Sequence, residues 1–255
     1  MWKISIITVN LNNGNAIRKT LQSVIAQTHT DIEHIVIDGG SDDDSIAIIK
    51  EFEKHIAYWI SERDNGIYHG MNKGIKRATG KYLLFLNSGD YLANNYVIEK
   101  AVKKFIKLEN ARGELIFYGN IVVEGKIDPA PKKINLDILS SASLPHPASF
   151  ISKTIFDQIG HYNENYKIIS DWIFFLNAYL AQVQFEYIDY PITTFELNGI
   201  SSNFKKAEEE KRQYLLSNYP NFIEDFKLFA SFKKYKLSRL HKWVERLSST
   251  LRLFK

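Results

Sequence analysis

Apolar and polar positions change period repeatedly over the first ninety residues. The stretch WKISIITVN is a continuous, β-branched apolar run and predicts a buried strand. NGNAIRKTLQSVIAQ then sets Ile17, Leu21, Val24 and Ile25 on one helical face. IEHIVIDGGS predicts a second buried strand ending in Gly-Gly. DDDSIAIIKEFEKH predicts a helix with an acidic first turn, which the helix dipole favours. AYWISE is a short third strand. GIYHGMNKGIKRATG is helical from Ile67 to Ala78 and closed by Gly80, and KYLLFLN is the fourth strand. Four alternations of strand and helix predict a parallel sheet covered by helices on both faces.

The pattern is less regular afterwards. NNYVIEKAVKKFIKLE predicts a helix, and ELIFYGNIVVEGKI a strand or hairpin. The segment from Asp128 to Ala148 holds four of the six prolines and is expected to be a loop lying over a site. SFISKTIFDQIG reads as strand then helix, SDWIFFLNAYLAQ as a helix, and VQFEYIDYPITTFEL as extended. From Lys205 the pattern is helical. The division expected is an α/β domain over residues 1–205 and a helical extension over 206–255.

Composition narrows the class. The 255 residues are 45% hydrophobic and 24% charged, as in an ordinary globular protein, and there is no cysteine. Disulfides and thiolate metal sites are therefore excluded, and a reducing, cytoplasmic compartment is expected. No signal peptide and no membrane-spanning run is expected. The net charge of +4 conceals a split: Phe226–Lys255 carries nine Lys/Arg and one acid, a net of +8, which leaves −4 before it. Within that tail Leu240, Trp243, Val244, Leu247, Leu251 and Phe254 recur at helical spacing, flanked by Arg239, Lys242 and Arg246. Such a basic amphipathic helix suits the inner surface of a membrane. Packing on the body or a homodimer contact are its alternative uses, and no nucleic-acid motif accompanies it.

In open parallel sheets ligands bind beyond the carboxyl ends of strands. The candidates there are Asn10 and Asn12, then Asp38, then Glu62 and Asp64, then Asn87 and Asp90. Such an acidic mouth suits a divalent cation bridging carboxylate and phosphate oxygens; the alternative is turn and helix capping. The first strand–helix turn, NLNNGNA, has one glycine, so a dinucleotide fingerprint is absent, as is a phosphate-binding Gly-Lys-Ser/Thr loop.

Three blocks carry a family resemblance: ISIITVNLNN with LQSVIAQTHTDIEHIVIDGGSDDDS; SERDNGIYHGMNKGIKRATGKYLLFLNSGDYL; and PHPASFISKTIFDQIGHYNENYKIISDWIFFL. In this order they resemble the family 2 glycosyltransferases, over about two thirds of the chain. The resemblance implies a GT-A nucleotide-sugar fold, with a mostly parallel Rossmann-like sheet. It implies transfer of a sugar from a nucleotide-sugar, most often a UDP-sugar, to a lipid-linked saccharide in bacterial O-antigen, capsule or exopolysaccharide synthesis. Thr8, Asn10 and Asp38 would line the base pocket, with Asp38 accepting from a uracil N–H. Asp64, Asn72 and Lys73 would edge the donor pocket, Lys73 offsetting pyrophosphate charge. The family's Asp-x-Asp metal motif corresponds to Asn87-Ser88-Gly89-Asp90, where Asn87 and Gly89 replace acids. Asp90 is left to hold Mn²⁺ or Mg²⁺. Asp171 stands where the family places its catalytic base; a cap for the following helix, by Ser170 or Asp171, is the plainer reading.

His146, held between two prolines, and Trp172 are expected on the acceptor side, and Tyr68 or Trp172 would stack on a sugar ring. The expected enzyme inverts configuration. The rivals are a catalytically inactive nucleotide-binding relative acting as an assembly factor, which the altered metal motif favours, and a sugar nucleotidylyltransferase.

Overall fold

The computed structural model describes residues 2–112, 115–141, 143–195 and 204–220. The basic amphipathic stretch from Arg239 lies outside the described residues. By compactness the chain divides into Met1–Ser202 and Asn203–Lys255. In the second unit the described structure is one helix, Phe204–Asn218.

The first unit opens with the alternation that hydrophobic periodicity predicts. Strand β1 (Ile4–Asn10) leads to α1 (Gly14–Ile25), β2 (Ile32–Asp38), α2 (Ser45–Glu51), β3 (Tyr58–Ser61), α3 (Ile67–Arg77) and β4 (Tyr82–Phe85). Every residue of β1 is buried, because it lies between β2 and β4 with a hydrophobic layer on each face. Ile4 and Ile6 join one layer with Tyr82, Leu84 and Phe105. Ile7 and Val9 join the other with Ile35, Ile37, Met71 and Phe174. One strand thus feeds two cores through its two-residue period.

Helix α2 begins at Ser45, so Asp42, Asp43 and Asp44 precede it and its first turn contains no acid. The expected acidic first turn is corrected. Asp43 instead accepts from the backbone N–H of Gly14 at 3.0 Å and of Ser45 at 2.9 Å, tying the start of α1 to that of α2.

Beyond β4 come β5 (Tyr91–Leu92), α4 (Val97–Arg112), β6 (Leu115–Val123), β7 (Lys126–Asp128), α5 (Leu136–Ser141), β8 (Ser149–Ser152), α6 (Lys153–Ile159), α7 (Ser170–Leu180) and β9 (Gln184–Phe195). The strands form one sheet in the order β3-β2-β1-β4-β8-β6-β9-β5, with β7 paired to β6. β1 runs parallel to β2 and β4, β2 to β3, and β6 to β9. β8 enters antiparallel between β4 and β6, β7 pairs antiparallel with β6 and β5 with β9. The described sheet is therefore mixed, with its longer pairings parallel. Glu124 and Gly125, both at positive φ, turn the chain between β6 and β7 in the two-residue form that suits a hairpin.

Two glycines let α3 approach β1. A Cβ on Gly70 would lie 2.8 Å from Val9 Cγ1, and one on Gly74 would lie 2.4 Å from Ile7 Cγ2. This packing fixes the amino end of α3 beside the carboxyl end of β1.

Candidate functional site

A cleft of about 750 Å³ opens at the carboxyl ends of β1 and β4, where α3, α7 and the 143–147 segment meet. Eight residues singled out in the sequence line it: Asn10, Asn12, Asp64, Tyr68, Asn87, Asp90, His146 and Asp171. Six others do not: Thr8, Asp38, Glu62, Asn72, Lys73 and Trp172.

Thr8 is fully buried within β1 and its hydroxyl meets His34 Nε2 at 3.0 Å. Burial pushes the His34 imidazole down to about 4, so this is a neutral pair. Asp38 is fully buried too, and its oxygens are occupied. Oδ1 accepts from Asn10 Nδ2 at 2.8 Å and from Ser41 Oγ at 2.6 Å. Oδ2 accepts from Ser61 Oγ at 2.6 Å and from the N–H groups of Gly40 and Ser41. Burial alone would raise the Asp38 pKa. The hydrogen bonds from Ser41, Ser61 and Asn10 outweigh it and hold the group below its ordinary value. Asp38 is thus an organiser of the loop ends. The polar side chain beside it that lines the cleft is Asn10, whose Oδ1 is buried and has no hydrogen-bond partner.

Asn72 points away from the cleft. Its amide donates to the Tyr162 carbonyl at 2.9 Å and to Glu164 at 2.8 Å, and it accepts from the Tyr162 N–H at 3.1 Å. It pins α3 to the segment that leads into α7. Lys73 is engaged by Asp64 and by Glu62, the latter at 2.8 Å, which leaves it beneath the cleft. Trp172 is 2% exposed and donates to the Leu139 carbonyl at 2.6 Å, so it belongs to the core under α5.

The turn after β4 is braced by α1. Thr20 Oγ1 accepts from the Gly89 N–H at 3.1 Å and donates to the Asp90 carbonyl at 2.7 Å. Gly89 stands at φ +105°, a backbone that residues with a Cβ rarely adopt. The position at which the resemblance implies an acid is thus a turn built around glycine. Asn87 Oδ1 is buried and unpartnered at the same turn. With Asp90 it offers hard oxygen donors of the kind Mg²⁺ and Mn²⁺ take. Among the described residues no group of three or more His, Cys, Asp or Glu side chains is placed to hold a metal ion. The donor set therefore fits a cation that also draws ligands from a bound phosphate group.

Asp171 is the second residue of α7, yet Ile169 occupies the capping position and no side chain caps the helix. The capping reading is corrected. Asp171 turns into the cleft, where Oδ1 lies 2.9 Å from the Tyr68 hydroxyl, a side chain of α3. His146, stacked on Phe85 at 5.0 Å between centroids, meets the Tyr162 hydroxyl through Nε2 at 2.7 Å. Burial lowers the His146 pKa, and the charge of Asp171 opposes that shift. Lining residues that the sequence reading did not single out include Leu11, 59% exposed just past β1, and Lys167, whose ammonium donates to the Asn65 carbonyl at 3.0 Å.

The family model for glycosyl transferase family 2 matches residues 5–160. An uncharacterised glycosyltransferase of Mycobacterium tuberculosis is 35% identical over 182 residues, 70% of this chain and 69% of that protein. A PGL/p-HBAD biosynthesis glycosyltransferase of Mycobacterium bovis is 29% identical over 214 residues, 82% of each. Among solved structures, Staphylococcus aureus TarS 1–349 in complex with UDP superposes at a TM-score of 0.65 with 18% identity, over 86% of this chain and 73% of that one. Against a longer TarS chain the match spans only 36% of that chain. The mannosyltransferase PcManGT of Pyrobaculum calidifontis, in complex with GDP-Man and Mn²⁺, superposes at 0.62 with 13% identity, over 87% and 64%. At these identities the structures speak for the fold, which is that of GT-A glycosyltransferases.

Proposed function

The chain belongs to glycosyl transferase family 2 and is a glycosyltransferase, and from that premise we propose that it moves a sugar from a nucleotide-sugar to an acceptor hydroxyl with inversion. The observation that carries this reading is that one cleft is lined by Asp171 together with Asn87 and Asp90. Asp171 takes the proton of the acceptor hydroxyl. The acceptor oxygen then bonds to the anomeric carbon as the bond from that carbon to the phosphate oxygen breaks. The electron pair leaves on the nucleoside diphosphate. Asn10 lines the cleft with its Oδ1 buried and unpartnered, and on this reading it supplies an acceptor for the N–H of a base, which suits uracil and so a UDP-sugar. Asp64 lines the donor side with Oδ2 buried and unpartnered, and His146 lines the acceptor side.

Among the described residues that line the cleft, Asp64, Asp90 and Asp171 stand with one ammonium, that of Lys167, while Asp64 is also paired with Lys73 outside the lining. A diphosphate entering this field needs added positive charge. Asp90 and Asn87 would hold a divalent cation, Mn²⁺ or Mg²⁺. When bound, the cation supplies Lewis-acid stabilisation of the departing diphosphate.

The acceptor we propose is a lipid-linked saccharide of bacterial surface polysaccharide synthesis. The +8 tail supports it, because it suits the inner face of a membrane. No helix among the described residues is long and apolar enough to cross a membrane.

Released nucleotide is followed with UDP-, GDP- and dTDP-sugars, and Mn²⁺ binding in the presence of UDP is followed by electron paramagnetic resonance. One donor is expected to turn over with Mn²⁺ or Mg²⁺ and not with EDTA. Asp90→Ala is expected to weaken Mn²⁺ binding at least tenfold, or roughly 1.4 kcal/mol. UDP binding with no turnover of any donor, even with lipid-linked acceptor added, favours the inactive relative.

A further inference from the structure

Resting on the reading of Asp171 as the base, we propose that Tyr68 is its positioning residue, a hydroxyl that holds one carboxylate oxygen so that the other faces the acceptor. Tyr68 and Asp171 are 103 positions apart, each the second residue of its helix, and the two helices bring their amino ends together at the cleft. The Tyr68 ring is 6% exposed and packs against Tyr162 at 5.6 Å between centroids, so the hydroxyl is not a free rotor in solvent. It meets two acceptors, Asp171 Oδ1 at 2.9 Å and the Ile168 carbonyl at 2.6 Å.

A phenol has one hydrogen to donate. With Asp171 ionised, the hydrogen belongs on Oδ1, since a bond to a charged acceptor is the stronger. That fixes the carboxylate plane and leaves Oδ2 to take the acceptor's proton. Once Asp171 is neutral, its hold on the hydrogen weakens and the Ile168 carbonyl receives it. The hydroxyl therefore follows the charge on the base without any atom heavier than hydrogen moving. A purely structural tyrosine would need only the Ile168 carbonyl.

The other ionisable groups facing this pair are Tyr162, from the segment before α7, and His146, from the 143–147 segment. Lys167, Asp64 and Asp90 line the same cleft. Burial and the nearby charge of Asp171 both raise the phenol of Tyr68 well above its ordinary value, so it stays protonated throughout the working range.

The test needs no known acceptor. Full-length protein is labelled with ¹³Cζ-tyrosine, and the Tyr68 resonance is assigned by its loss in Tyr68→Phe. As pH falls, this resonance is expected to step in the wild type and to stay flat in Asp171→Asn. A step that survives in Asp171→Asn belongs to His146 and overturns the proposal, as does a flat line in both. Kinetics provide a second arm, using the sugar donor that turns over and water as acceptor. Tyr68→Phe, which keeps the ring packing, is expected to lower kcat on the order of tenfold with KM unchanged, and to move the acid limb of the pH–rate profile upward. If Asp171→Asn turns over as fast as wild type, the reading of Asp171 as base fails. If Asp171→Asn is inactive while Tyr68→Phe matches wild type in both arms, only the role of Tyr68 fails.

Discussion

Asp38 and Asn10 form a hydrogen-bonded pair in which the acid is spent internally and the residue lining the cleft is the asparagine. Asp38 accepts five hydrogen bonds, and removing its charge leaves Ser41, Ser61 and two loop N–H groups with a weaker partner. Asp38→Asn is expected to destabilise the protein by about 1–3 kcal/mol at neutral pH, measured by urea unfolding. The sign with pH follows from its depressed folded value. The contribution is complete above the unfolded carboxylate value of about 3.9 and is lost as pH falls through the folded one. The gap between variant and wild type is therefore expected to narrow in acid. The sequence identified the strand ends as the site, because open sheets bind ligands there. It could not say which of two neighbouring polar groups lines the cleft. That choice is made by Ser61, 23 residues away, whose hydroxyl saturates Asp38. Nor could it show that Tyr68 meets Asp171, since no local pattern joins positions so far apart.

Helix α3 joins the two sides of the cleft. Its glycines seat it on β1, Tyr68 reaches Asp171, and Asn72 clamps the backbone of Tyr162. Gly74→Ala adds helix propensity worth about 1 kcal/mol. It also places a methyl 2.4 Å from a side-chain atom of Ile7, which is fully buried at the centre of the sheet. The clash is the larger effect, at about 1–3 kcal/mol. A net loss of up to roughly 2 kcal/mol is expected in thermal or urea unfolding. The elements up to β4 were legible because strand and helix periods alternate cleanly there. The later ones were harder to read for particular reasons. β5 has two residues, too few to show a period. β8 has four and is placed by antiparallel pairing with β4 and β6, a long-range choice that its sequence does not state. α5 lies inside a proline-rich stretch that reads as loop.

For the whole chain, charge is distributed unevenly: −4 before Phe226 and +8 from there on. The full-length protein is expected to float with vesicles containing phosphatidylglycerol at low salt. It is expected to be released at about 0.5 M NaCl, where the Debye length falls to a few ångströms, and to ignore neutral vesicles. Equal flotation with both kinds of vesicle would count against an electrostatic attachment. The sheet carries a different division. Asn10, Asp64, Asn87 and Asp90 stand at or between the strands and helices of its parallel part, whereas His146 immediately precedes β8, the strand that reverses direction, and Asp171 follows it. The family match ends at residue 160, eleven positions before Asp171. On the proposed assignment, what delivers the sugar and what receives it are inherited in successive stretches of chain, joined across β4 and β8 by main-chain bonds that place few demands on side-chain identity. Such a seam lets a lineage keep its donor while exploring new recipients, much as a tool keeps its handle while the bit is exchanged.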